Sequence, residues 1–472
     1  MKKTFKQAKL CIIVALLCAS VALGAQESSE GSEIDMNLDS LFGEEVVEIA
    51  SDAPTATGDP VTAALKSDKV RIGGSFYGTL APTATWTSLW DGGSDLLDPD
   101  RKDLSSSLKS TLFFDARPKE DFRVYGSVKT SWPFSTATTD SIEVPNISIF
   151  ELFADFSMND KLFFRFGKST VKWGVGYFWS PADVINLEQI NLLDAEAQRE
   201  GPVNFRVHIP VPGTQNNFYM YTILDENSVA FETTALAAKA EFLLGNYELG
   251  LGAYYRYDTA ERAMLTLTGP IGNLDVFGEA MVSRGSGKTF VTDIQTTSPY
   301  TIATSSTADN RENLYFSASA GFLYNDSNNN MTAIGQYYYN GEGYSTATKD
   351  ALVAKAKLAI ASAVATPDPA AAAALSASLA SLIYGSGQHY AALSFSKGEL
   401  FTEDFSASII AVANLSDWSG IVKPTFSYAV HDNLSLALSP TFFFGPADGE
   451  YAFLAGGDAV TLSLGATVSG SF

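Results

Sequence analysis

The residues best equipped for chemistry in this sequence stand in settings that do not support it. Gly285-Ser286-Gly287-Lys288-Thr289 has the ending of a phosphate-binding loop, in which backbone N–H groups cradle phosphate oxygens and the lysine neutralises them. The full pattern needs a glycine five residues before Gly287, where Val282 stands. It also needs a helix to follow, and Phe290-Val291-Thr292-Asp293 does not read as one. Acyl-transfer chemistry needs a histidine beside a serine nucleophile and an orienting polar group. His208 sits in Val207-His208-Ile209-Pro210, His389 at a loop edge and His431 in a turn, and none has such company. Three scattered imidazoles do not make a zinc site. Cys11 and Cys18 both fall in the first 25 residues, so the rest of the chain has no thiol for catalysis, metal or disulfide. The expectation is neither an enzyme nor a cofactor binder.

Chemistry of a different kind, polar side chains lining a passage, depends on the elements that would hold them. The first residues read as a secretory signal: Lys2, Lys3, Lys6 and Lys9, then an apolar run from Leu10 to Val21, then Ala22-Leu23-Gly24-Ala25 for cleavage. Beyond residue 25 no run reaches the ~20 apolar residues of a membrane helix, so any membrane crossing is by strands. The formal charge is −22, and becomes −26 once the four signal lysines are gone. That balance disfavours nucleic acid, whose phosphates recruit basic surfaces. Residues 26–60 hold ten acids and no Lys or Arg, which reads as a disordered acidic periplasmic extension, or a docking segment for a periplasmic partner.

From Val70 the period becomes two. Val70, Ile72, Gly74, Phe76, Gly78 and Leu80 alternate with Arg71, Gly73, Ser75, Tyr77 and Thr79. Side chains alternate across a strand, so one face is apolar and the other polar. The pattern recurs at Phe122–Lys129, Asn313–Phe322 and Phe405–Asn414. Short turn-rich segments, such as 117–121, 159–161, 245–246 and 431–433, alternate with longer connectors at 87–102, 133–146, 174–201, 225–234, 287–310 and 345–387. Short turns on one side and long loops on the other are the asymmetry of an outer-membrane barrel. Two connectors on the long side, near Ala260 and Asp417, are short. The count is about eighteen strands, with sixteen the alternative. Within 345–387, Lys349–Ala365 and Ala370–Tyr384 are Ala/Leu-rich around Thr366-Pro367-Asp368-Pro369 and read as a helical hairpin.

The final residues alternate Val460, Leu462, Leu464, Ala466, Val468, Gly470, Phe472 against Thr461, Ser463, Gly465, Thr467, Ser469, Ser471. A last strand that pairs with the first would close the sheet and remove its edges. A terminal amphipathic strand ending in Phe472 resembles the assembly signal of bacterial outer-membrane β-barrels of the porin-like class, which implies recognition by the barrel-insertion machinery. Arg165-Phe166-Gly167-Lys168, Trp173-Gly174 and Ser180-Pro181-Ala182-Asp183-Val184-Ile185-Asn186 resemble a block of several porin-like families, except that Ser169 stands where glutamine is common. The long Ala-rich loop and acidic extension are similar to spirochaete outer-membrane barrels.

On the first six strands the polar face carries Arg71, Lys109, Arg123, Lys129, Arg165 and Arg206, with His208 beside them and Glu151 and Asp155 among them. These are the candidate pore-lining basic wall. Segment 174–201 carries Asp183, Glu188, Asp194, Glu196 and Glu200 against Arg199, with Trp179, Leu187, Ile190, Leu192 and Leu193, too apolar for a fully solvated loop. The resemblance implies that this third long connector enters the barrel as a constriction loop, its acids facing the basic wall across the pore.

The sequence thus predicts a signal peptide at 1–25, an acidic extension and linker at 26–68, and an all-β transmembrane antiparallel barrel of 16–18 strands at 69–472. The function expected is an outer-membrane porin-like channel for small hydrophilic solutes with mild cation preference. The alternatives are a transporter of hydrophobic compounds and a surface adhesin or structural barrel. The expected partners are outer-membrane lipid, the insertion machinery and small solutes.

Overall fold

The computed structural model describes residues 69–87, 98–136, 143–159, 161–187, 190–193, 199–225, 228, 230–365, 368–454 and 459–471. The signal and acidic extension expected within 1–68, and Phe472, lie outside these residues. The strands are β1 (Val70–Trp86), β2 (Arg101–Lys119), β3 (Phe122–Thr136), β4 (Glu143–Met158), β5 (Leu162–Lys168), β6 (Val203–Pro210), β7 (Asn217–Leu224), β8 (Ala235–Leu244), β9 (Tyr247–Tyr255), β10 (Glu261–Ile271), β11 (Leu274–Arg284), β12 (Phe290–Ile294), β13 (Ile302–Ser305), β14 (Leu314–Asp326), β15 (Met331–Tyr339), β16 (His389–Lys397), β17 (Phe405–Asn414), β18 (Ser419–His431), β19 (Leu434–Phe444) and β20 (Ala459–Ser471). The helices are α1 (Thr307–Asn310), α2 (Thr346–Ala365), α3 (Pro369–Ile383) and α4 (Glu450–Leu454).

Eighteen strands form one antiparallel sheet, each beside its chain neighbour, with the β12–β13 hairpin standing apart so that β11 pairs with β14. The last strand returns to the first, with Ser75 opposite Ser471 and Trp86 opposite Val460. That pairing closes the barrel and leaves the sheet without a free edge. Of the two counts expected, eighteen is the one formed.

One end of the barrel has tight turns. Gly245 and Gly272 take left-handed φ of 67° and 64°, the conformation such two-residue hairpins require. The outward faces carry apolar side chains on strand after strand. Ile72, Leu104, Ile147, Met220, Phe316 and Leu464 are each at least half exposed, and Leu104 reaches 70%. A continuous apolar exterior of this kind needs an apolar surrounding.

At the other end, α2 and α3 form the expected hairpin. Asp368 caps α3 by accepting the Ala371 N–H at 3.1 Å, and Pro369 occupies the first helical position. Leu352, Val353, Ala356, Leu375, Leu382 and Ile383 bury one face against Val291 and Ile294 of the β12–β13 hairpin. The glycine-rich run beginning at Gly285 leads into β12, so no helix N-terminus stands behind it as a phosphate site requires.

Candidate functional site

The connector between β5 and β6 defines the inside of the barrel. Val171, Trp173, Ala182 and Ile185 pack on Tyr219, Tyr221 and Ile223 of β7, on Ala235 and Ala237 of β8, and on Met264 and Met281 of β10 and β11. Tyr177 and Phe178 continue along Phe277, Leu323, Ala392, Val412 and Ile421, from β11 to β18. The connector therefore lies inside and lines the wall from β7 to β18.

Two side chains hold it there. The Glu279 carboxylate accepts the N–H groups of Val175, Gly176 and Ala182, the last two at 2.6 and 3.0 Å, and the Ser180 hydroxyl at 2.9 Å. Gln336 Oε1 accepts the N–H groups of Tyr177, Phe178 and Trp179 at 3.1, 2.8 and 3.4 Å, and its amide donates to the Trp179 carbonyl. Irregular backbone leaves its N–H groups without ladder partners, so side-chain acceptors must replace them. Glycine is needed here: a Cβ at Gly174 would lie 2.6 Å from Glu279 Oε1, and one at Gly176 would lie 2.9 Å from Gln336 Nε2. Trp179 stacks on Tyr338 at 5.8 Å, and Trp173 meets Tyr221 edge-on at 5.4 Å.

The loop residues picked out from the sequence fare differently. Asp183 does not face the opposite wall. It accepts from Asn186 at 2.9 Å and pairs with Arg199, and its side chain is only 4% exposed. Asn186 in turn accepts the Val171 N–H at 3.0 Å and donates to the Val171 carbonyl, so Asp183 and Asn186 tie the loop to itself. Glu200 pairs with Lys168 at the loop base. Glu188, Asp194 and Glu196 lie outside the described residues.

All six basic residues lie on the inward face, as the cross-strand register shows. Arg123 is opposite Asp155, Asp155 opposite Arg165, Arg165 opposite Arg206, and Arg206 opposite Tyr221, which touches the loop. Arg71 is opposite Asp115, and Lys109 opposite Tyr77. The wall is not uniformly basic, however. Arg123 binds Asp115 through Nε and Nη2 at 2.8 and 3.2 Å, and Arg165 binds Asp155 at 2.7 and 2.9 Å. Such fork-shaped pairs are strong and geometrically defined. From Asp115 through Arg123 and Asp155 to Arg165 the charges form a ladder of alternating sign, with Asp155 one of the acids expected among the basic residues, and Arg165 then stands opposite Arg206. Aromatic rings back the ladder: the Arg165 guanidinium lies 3.9 Å from the Phe153 ring centroid, and Lys129 Nζ lies 3.2 Å from that of Phe150. Arg206 Nε is buried without a hydrogen-bond partner among the described residues. Arg71 and Lys109 remain exposed although they face inward, because the described contacts of the loop stop short of β1 and β2.

His208 Nε2 bonds Asn217 Oδ1 at 2.8 Å, and His389 Nδ1 bonds the Tyr337 hydroxyl at 2.7 Å. Glu279 and Gln336, the principal anchors, were not picked out from the sequence. The available signal is an inward acid between Phe277 and Met281 on β11, too common a feature to single out alone.

No family model and no curated protein sequence matches this chain. Solved structures match over most of its length. The outer membrane protein opdK from Pseudomonas aeruginosa has 8% identity and a TM-score of 0.45, covering 85% of this chain and 99% of its own. OccK9 (OpdG) from the same organism has 8% identity and a TM-score of 0.47, covering 85% and 98%. Salmonella typhi OmpF, solved as a complex with daunomycin, has 9% identity and a TM-score of 0.39, covering 84% and 97%. In overall form the chain is similar to these proteins, and at this level the likeness bears on neither its cargo nor its lineage.

Proposed function

We propose that this chain is an outer-membrane, porin-like channel for passive diffusion of small hydrophilic solutes, with mild cation preference. One observation carries the reading. The barrel is closed, its outward face exposes apolar side chains strand after strand, and its inward face is polar and uncovered by the described part of the β5–β6 connector along β1 and β2. A barrel of this size encloses an aqueous lumen unless it is filled. Passage then needs no catalytic residue, only a polar gap between the connector and the ladder of Arg71, Lys109, Arg123, Lys129, Arg165 and Arg206.

Cation preference is supported by charge. The formal charge is −22, and Asp115 and Asp155 offset Arg123 and Arg165, so the wall does not repel cations as a bare arginine row would. Within the loop, Glu188, Asp194 and Glu196 are the acids that would face the path, while Asp183 maintains loop shape. Export by residues 1–25, insertion through a signal ending at Phe472, and a periplasmic partner for residues 26–60 belong to the same reading. The test is planar-bilayer recording. Stable conductance steps are expected, with a reversal potential favouring potassium over chloride. Glu188→Gln, Asp194→Asn and Glu196→Gln together should move that potential toward chloride. A protein that inserts without conducting would sink the channel reading and favour a structural barrel.

A further inference from the structure

The lumen wall from β18 through β20 to β1 is surfaced with hydroxyl groups. Every inward position of β20 from Thr461 to Ser471 is Ser, Thr or Gly. The surface continues through Ser439 and Thr425, whose hydroxyls meet at 3.1 Å, and through Thr79 and Ser107 at 2.6 Å. Among the described residues, the inward charges on these four strands are Lys423 and Arg71. This is the seam where the barrel closes, and the described part of the β5–β6 connector, which packs along the wall from β7, shares a core with this seam only at Ile421 and Phe443.

We propose that this wall is a recognition surface for neutral polyhydroxylated solutes, sugars and polyols, which makes them the favoured cargo of the channel read above, on which the assignment rests. A hydroxyl donates and accepts at once. Strands ~4.8 Å apart, with inward residues about 6.8 Å apart along each, set the hydroxyls in a lattice. A sugar can exchange several water hydrogen bonds for wall hydrogen bonds and move from one set of partners to the next. An ion gains little there, because neutral hydroxyls offer it no more than water does. The adjoining ladder strengthens the preference, since Arg123–Asp115 and Arg165–Asp155 neutralise one another at the wall. Fold demand alone does not explain the composition: strands favour threonine but are equally served by valine, and serine is not among the residues strands enrich.

The test reconstitutes the full chain in liposomes and compares influx of a sugar series with polyethylene glycols of equal hydrodynamic radius, whose ether oxygens accept but do not donate. Wild type should admit the sugars faster. The isosteric variant Thr79→Val, Thr425→Val, Thr461→Val, Thr467→Val should lower the sugar-to-glycol ratio roughly threefold to tenfold, the factor that a net hydrogen bond represents. Its potassium chloride conductance should be unchanged. A ratio of one in wild type overturns the assignment, whether or not the variant inserts. An unaltered ratio in an inserted variant overturns it also. Absence of any salt conductance in wild type overturns the channel reading, and this cargo with it.

Discussion

The connector inside the barrel and the cap at its long-loop end are both irregular chain folded onto a rigid frame, yet they are held by opposite means. Inside, Glu279 and Gln336 between them accept six backbone N–H groups. Outside, three lysines on α2 each reach an aspartate on a different segment: Lys349 to Asp417 at 2.8 Å, Lys355 to Asp293 at 2.6 Å and Lys357 to Asp448 at 2.9 Å. The difference follows from local structure. The connector has no helix or ladder over this stretch, so its backbone donors take the available side-chain acceptors. The helices α2 and α3 meet most of their own backbone donors, which frees side chains to pair between segments.

The largest effect should come from removing the inner anchors. Glu279→Ala with Gln336→Ala leaves six N–H groups to find water, each costing about 1–3 kcal/mol where water does not reach. Larger single-channel conductance and strong open-channel noise are expected, with normal insertion on an unheated gel. Unaltered conductance would mean that the aromatic packing of Trp173, Tyr177 and Phe178 suffices to hold the loop.

A smaller effect, confined to the cap, should follow from Lys349→Ala. Lys349 and Asp417 are 4% and 12% exposed at the side chain, and breaking a buried pair costs about 3–5 kcal/mol. Hydrogen exchange over 346–383 should rise while conductance stays the same. Lys355→Ala and Lys357→Ala, whose pairs are exposed and screened, should barely alter that exchange. Equal responses to all three would erase the distinction between buried and surface clasps.

The smallest effect concerns pH and again separates the clasps from the cap core. Lys355 and a backbone N–H hold Asp293 below the usual carboxylate range, and Lys357 does the same for Asp448. A depressed folded value stabilises above the unfolded pKa, and that contribution is lost as pH falls through the folded value. Glu450 has the opposite sign. Burial pushes its carboxyl up, against hydrogen bonds from Gly385, Tyr390 and Asn414 and the charge of Lys349. Its contribution is present below the ordinary glutamate value and lost as pH rises through the raised one. Burial also lowers the nearby Lys288, whose field reaches Glu450. Protection of 450–454 should therefore improve on mild acidification, and protection of the α2 surface should fail only in stronger acid. Glu450→Gln should abolish the first change and leave the second. A single monotonic response in wild type would contradict this division.

Much of the fold was legible because its cause is local. Alternation along 70–80 and 460–471 assigned faces, and glycine and asparagine marked the turns. The six inward basic residues follow from that period alone. The helical hairpin was readable from alanine content and the two prolines, to within a few residues at each end. Strand count was less legible, because short strands such as β5, with seven residues, give little periodic signal beside an irregular connector.

What the sequence by itself determined is therefore which side chains share a face, since a pleated strand alternates whatever surrounds it. What only the tertiary structure decided is who meets whom. Glu279 meets Ala182 across 97 positions, and Thr85 meets Thr461 across 376, because the sheet closes and the connector turns inward. Asp115 and Asp155 pair with Arg123 and Arg165 across neighbouring strands, and Asp183 pairs with Arg199 from the far end of the same connector. Charge pairing depends on distances of a few ångströms between strands, and residue order along one strand carries no such distance.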